Sequence, residues 1–207
     1  MQKDIIMPRF NSKTLISELE KEVNSIISQF DTKFSEIDAE ILNLKPAKNK
    51  WSALECIEHL NMVGRYYLPQ IEKEMDKYVK KSSSINTAFK SGLVGNYMYT
   101  AMKPHSDGSI HTKVKTFSSV NPSTKYASSD LDAQKVLDNF IEQKRQLLEL
   151  LEKSRGIDLN KVKITSLVGP ILRLKVGDVF RFFVAHEQRH LIQAENAIEN
   201  AMSAKYA

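Results

Sequence analysis

A chain of 207 residues with 42% hydrophobic content can bury one substantial core, and a single domain spanning 1–207 is the expectation. Only 7 glycines and 6 prolines interrupt it, so a sandwich or barrel rich in tight turns is disfavoured, while abundant Leu, Ile, Glu and Lys favour helices. The net charge of +5 comes from 30 basic residues spread among 25 acidic ones, which leaves no basic stripe of the kind that marks a nucleic-acid binder.

In chain order, Leu15, Leu19, Val23, Ile26, Phe30, Phe34, Ile37, Ile41 and Leu44 step at helical intervals and predict one continuous helix that stops at Pro46. Ser52 and Glu55 have capping-box spacing, so a second helix is expected from Ser52 to about Lys81, weakened after that by Ser82-Ser83-Ser84. The segment 85–129 reads as an insertion. Phe89, Leu93, Val94, Tyr97, Met98 and Met102 suit a short amphipathic helix. From Lys103 to Asn121-Pro122-Ser123 the chain is polar and punctuated, which predicts a long surface loop near the mouth of a site, where it would shape the substrate pocket. A third helix begins near Asp130, repeats through Leu137, Phe140, Lys144, Leu148 and Leu151, and closes at Arg155-Gly156. Residues 157–177 form a connector expected to pack as a short helical or extended piece, and Asp178 is placed to cap the fourth helix. Long helices joined this way, with no repeat at a fixed period, predict an all-α bundle.

The fourth helix carries the most informative pattern. Val179, Phe182, Phe183, His186, His190, Gln193, Ala194 and Ala197 fall on one stripe, so His186 and His190, four residues apart, share the apolar face. Buried imidazoles need partners, either a carbonyl or water for each ring or one cation for both. His186-Glu187-x-x-His190 also matches the zinc-protease signature, but Gln193 and Asn196 stand where the extended form needs glycine and histidine. Glu195 and Glu199 belong to the same helical run and cannot close round a metal. Glu187 is therefore expected on a solvated face about 100° round the helix. The better third ligand is His59, two turns into the second helix beside the apolar row of Cys56, Leu60, Val63 and Tyr67; the alternative is a boundary histidine bonded to a neighbour or to water. His105 and His111 lie in the long loop, where fixing them costs more entropy, and are read as solvated.

These residues carry a resemblance to a known family. Leu44-Lys45-Pro46-Ala47 leading into Trp51-Ser52, then Glu58-His59-Leu60, and finally Phe183 to His190 resemble the DinB-like superfamily over roughly residues 15 to 200. The resemblance implies a four-helix bundle of up-down-down-up connectivity, here with a helix-loop insertion between helices 2 and 3. It also implies a divalent metal held by His59, His186 and His190. The family is similar to thiol S-transferases, including bacillithiol and mycothiol enzymes, and despite its name implies no DNA polymerase.

Three neutral imidazoles with open coordination positions suit a divalent transition metal such as zinc, nickel or iron, and the lack of a carboxylate ligand argues against magnesium or calcium. Three protein ligands leave room for water or a low-molecular-weight thiol cosubstrate, as in a catalytic site. The expected function is a metal-dependent thiol S-transferase acting on a small electrophile; the alternatives are a hydrolase of a small ester or amide and a non-catalytic metal- or ligand-binding stress protein. Glu55, Tyr66 and Gln193 are candidates to orient the imidazoles, against simpler roles as a capping glutamate, an interfacial tyrosine and a boundary glutamine. Lys77, Lys80 and Lys81, or Lys103, Lys113 and Lys115, could form a patch for an anionic thiol or substrate, against the plainer reading of a solvated face. The single cysteine, Cys56, excludes an internal disulfide and reads as a small buried apolar residue. Without a secretory h-region or an apolar run of roughly 18 residues, a cytoplasmic protein with a small-molecule substrate, no nucleic acid, no membrane and a possible homodimer is expected.

Overall fold

Several helix starts in this chain are set by side chains that satisfy otherwise unpaired amide groups. Asn11 accepts from the Thr14 amide at 3.1 Å and opens α1 (Ser12–Phe34). The helix does not run on to Leu44 as its apolar period suggests. Ser35 bonds back to the Asp31 carbonyl at 2.5 Å, Asp38 is the N-cap position of a separate short helix, α2 (Ala39–Asn43), and the two are joined by a turn. The Ser35 hydroxyl competes for a carbonyl at the end of α1, and the chain turns there despite the continuity of the apolar row. In the computed structural model, which describes residues 7–81, 86–110, 112–127 and 130–206, α3 (Ala53–Lys81) starts at the predicted capping box. Glu55 donates its amide to Ser52 Oγ at 3.1 Å, and the Ser52 amide donates to Glu55 Oε2 at 2.9 Å. Ser82-Ser83-Ser84 lie outside the described residues.

The protein is predominantly helical, with two small antiparallel sheets. Strand β1 (Arg9–Asn11) pairs with β2 (Ala88–Lys90), placing Phe10 opposite Phe89. After β2 come α4 (Leu93–Met102), a 3-10 turn at Ser118–Val120 and α5 (Pro122–Lys125), so the inserted segment holds the expected short helix followed by a long loop. Asp132 caps α6 (Ala133–Ser154) through the Lys135 amide at 3.1 Å. The connector is extended: β3 (Lys163–Ser166) and β4 (Gly169–Lys175) form a hairpin that leads directly into α7 (Val176–Tyr206). The Val176 amide bonds the Val162 carbonyl at 3.0 Å, so α7 begins before Asp178. Asp178 consequently does not cap its own helix. Its carboxylate accepts from the Gly92 amide at 2.8 Å and from Ser91 Oγ, tying α7 to the start of α4.

Four long helices enclose the core, with α3 and α1 each packed against both α6 and α7. The side chains that meet there include Leu19, Val23, Ile26 and Phe30 of α1, Ile57, Leu60 and Ile71 of α3, Phe140, Leu147 and Leu151 of α6, and Val179, Phe183 and Ala194 of α7, all buried. Helix α7 also touches α2, α4 and the hairpin, so it is covered on several sides. Among the described residues no helix is long and apolar enough to cross a membrane.

This covering of α7 corrects the expectation for Glu187. Its side chain is 1% exposed and forms an ion pair with Lys144 of α6, itself fully buried, whose Nζ also lies 4.5 Å from the Phe140 ring centroid and 5.1 Å from that of Phe183. A stripe model assumes that the side opposite the apolar face is solvated, and α7 is covered on the side of Glu187 as well. A buried pair costs desolvation that its attraction roughly offsets, whereas one charge left alone is strongly unfavourable. Lys144→Met is therefore expected to destabilise the protein by about 3–5 kcal/mol in urea denaturation, and Lys144→Met combined with Glu187→Leu to recover most of that loss. Equal losses in the single and double variants would contradict this account.

Candidate metal centre

The capping box fixes the start of α3, and His59 follows one turn after Glu55, facing α7. His186 and His190 stand one turn apart on α7, and the packing of α3 on α7 brings all three rings together. The rings are buried, at 3%, 5% and 8% exposure for His59, His186 and His190. Ring centroids are 5.0 Å apart for His59 and His186, 4.6 Å for His59 and His190, and 4.5 Å for His186 and His190. One nitrogen from each lies within 4.8 Å of the others, so the group could hold a metal ion.

The hydrogen-bond pattern fits that use. His59 Nδ1 donates to the Val120 carbonyl at 2.6 Å, which leaves a lone pair on Nε2. That Nε2 faces His186 Nε2 at 3.1 Å, close to the roughly 3.3 Å expected between two nitrogens on a tetrahedral ion with bonds of about 2.0 Å. Nδ1 of His186 and Nδ1 of His190 are buried without a hydrogen-bond partner in the described structure. Neutral imidazole has one donor and one acceptor, so His186 and His190 each keep one ring nitrogen without a partner, while the Nε2 of His186 faces that of His59. Burial pushes all three pKa values down, that of His59 to about 4, and for His186 and His190 the neighbouring rings and Arg189 add to the effect. The rings are therefore neutral near pH 7, the form in which histidine binds metal.

The surrounding residues divide into those that support the rings and those that do not. Trp51 lies over His59 and His190, with centroids 5.0 and 6.0 Å away, and Phe182 stacks on His186 at 5.4 Å. Gln193 interacts with His190 and opposes the drop in its pKa. Glu55 is occupied by the cap, by Lys45 at 2.8 Å and by Ser123 at 2.7 Å, and Tyr66 donates to the Ser166 carbonyl at 3.3 Å. Neither bonds a histidine. The orienting group that the sequence did not reveal is the Val120 carbonyl, because a backbone acceptor leaves no side-chain signature. His105 sits exposed in a turn closed by its own amide and the Ser109 carbonyl at 3.0 Å and does not join the cluster; His111 lies outside the described residues. Cys56 is fully buried, and burial first, then Glu55, raises its thiol far above the ordinary range, so it is inert packing.

The three rings lie at the wall of a cavity of about 520 Å³. Val63, Tyr67 and Phe182 come from the bundle, Tyr97, Met98 and Met102 from α4, and Leu167 from the hairpin. Residues 112–117 of the long loop complete the lining, so the insertion builds part of the site.

In metal-free protein the depressed pKa values have a defined effect on stability. Above about pH 6.5 the histidines are neutral whether the chain is folded or unfolded. Below it the unfolded chain binds protons that folded His59 refuses until about pH 4, so stability falls as pH drops through this window. The urea midpoint of metal-free protein is expected to fall between pH 7.5 and 5, and to fall less in His59→Gln, whose amide can still donate to Val120. Identical pH profiles for the two proteins would contradict a buried neutral His59.

No curated protein and no solved structure matches the chain at a significant level. The model of the DinB superfamily matches residues 27–194, a span that includes all three histidines. The chain belongs to the DinB superfamily.

Proposed function

We propose that His59, His186 and His190 bind one divalent transition metal, zinc, nickel or iron, and that the protein is a metal-dependent thiol S-transferase acting on a small electrophile. The observation that carries this reading is a cluster of three neutral imidazoles opening onto a largely apolar cavity. A cation held there would lower the pKa of a thiol brought to its open face. The chain's own contributions are clear in outline. Val120 holds the tautomer of His59, Trp51 and Phe182 fix the ring planes, and burial keeps protons off all three rings. Met98, Met102 and Phe117 offer an apolar wall that excludes water from an electrophile's body.

Transfer to carbon needs no side-chain base at this cavity. Among the described residues no aspartate or glutamate lines it, and the only histidines that do are the three in the cluster. A thiol with an ordinary pKa of about 8.5 would be largely ionised beside a cation near pH 7 and needs no carboxylate base to attack carbon. The sulfur would then bond to an electrophilic carbon as the leaving group departs with its electron pair, the thiol proton passing to solvent.

Elemental analysis of purified protein is expected to give about one transition-metal ion per chain, lost in both His59→Ala and His190→Ala while circular dichroism remains helical. Metal-loaded protein is expected to accelerate conjugation of a small thiol panel (cysteine, glutathione, coenzyme A) to monochlorobimane, with activity falling at least 100-fold in either variant. Wild type that takes up no metal after reconstitution would overturn the metal site. Bound metal with ester hydrolysis and no thiol transfer would overturn the transferase reading.

A further inference from the structure

The cavity above the histidines carries a charge imbalance that metal binding alone does not require. Lys50, Lys113, Lys115 and Arg189 line it, and no carboxylate does among the described residues. Neighbouring lysines are neutralised: Lys45 pairs with Glu55 at 2.8 Å and Lys103 with Glu22 at 3.0 Å. Arg189 instead spends its hydrogen bonds on two uncharged acceptors, the Ala101 carbonyl at 3.3 Å and the Thr112 carbonyl at 2.5 Å. These contacts tie the end of α4 and the loop to α7 and hold the guanidinium at the cavity wall with its charge uncompensated. A half-buried cation with no counter-charge is costly to keep unless an anion visits it.

We propose that the electrophilic substrate is an organic anion, with its carboxylate at Arg189 and the loop lysines and its apolar body against Met98, Phe117 and Phe182. This rests on the transferase reading and names the substrate class for the same site. The carboxylate belongs to the acceptor and not to the thiol, because the walls beyond the cations suit a hydrocarbon body better than the polar backbone of a small thiol. Arg189 is then a positioning residue for specificity, joined to the site by the loop it anchors.

Calorimetric titration with a matched pair, 2-naphthoate and 2-naphthamide, tests this on protein as purified, with metal content measured on every sample. N-acetylcysteine and N-acetylcysteinamide serve as the thiol pair. Wild type is expected to bind the naphthoate at least about tenfold more tightly than the amide, the worth of one charged hydrogen bond. Arg189→Gln is expected to bring the two within about twofold. Because Arg189 also anchors the loop, the exposed pair Lys113→Gln with Lys115→Gln provides a second variant, expected to cut the preference severalfold with folding intact. Equal binding of the naphthyl pair by wild type, a preference that survives both variants, or a preference confined to the thiol pair would each overturn the proposal. The metal measurements separate this from the reading beneath it. Anion preference without metal removes only the metal site, and metal without anion preference removes only the substrate class.

Discussion

Three uncharged imidazoles are held in one buried cluster, and much of this structure can be understood from what that requires. Each ring has a donor and an acceptor that an apolar interior leaves unsatisfied at a cost of about 1–3 kcal/mol per group. His59 donates to the Val120 carbonyl through Nδ1 and faces His186 through Nε2, while Nδ1 of His186 and of His190 has no hydrogen-bond partner in the described structure. Such a cluster is poor packing and good coordination chemistry. The neutral state imposed by burial is the state in which three ring nitrogens can share one cation.

The architecture around the cluster follows from where α7 runs. It packs against α1 and α3 of the bundle, against α4 of the insertion and against the hairpin that leads into it. One helix can therefore present His186 and His190 to α3, Glu187 to Lys144 in the interior, and Arg189 to the loop that shapes the cavity. The insertion is joined to the bundle by charge and polar contacts at both ends. Asp178 holds the start of α4, Arg181 packs between Phe10 and Tyr99, and Arg189 holds the other end at Ala101. Through Val120 the same segment reaches the imidazole of His59, so loop, cavity and histidines form one unit.

The helical class, the second helix's start and the histidine cluster were legible because each leaves a local mark. Ser52 and Glu55 state a cap, and His186 and His190 state a shared face. What sequence could not state were interactions whose partners are distant or are backbone. The break after Phe34 falls where Ser35 bonds back to the Asp31 carbonyl despite an unbroken apolar row, and Asp178 reads as a cap because its distant partners, Ser91 and Gly92, leave no local mark. Glu187 reads as solvated only if α7 is open on that side, and the Lys144 side chain of α6 closes it. Lys144, standing in the apolar row of the third helix, was the available sign that an acidic partner lay inside. The Val120 carbonyl had no sign at all.

X-ray absorption at the zinc edge, on protein reconstituted with one equivalent of zinc, tests the central claim most directly. Three imidazole nitrogens at about 2.0–2.1 Å are expected, with the remaining position filled by a light atom from solvent and a nitrogen count that falls in His59→Gln. A spectrum with sulfur at about 2.3 Å, or one indistinguishable between wild type and that variant, would place the metal elsewhere and contradict the three-histidine site.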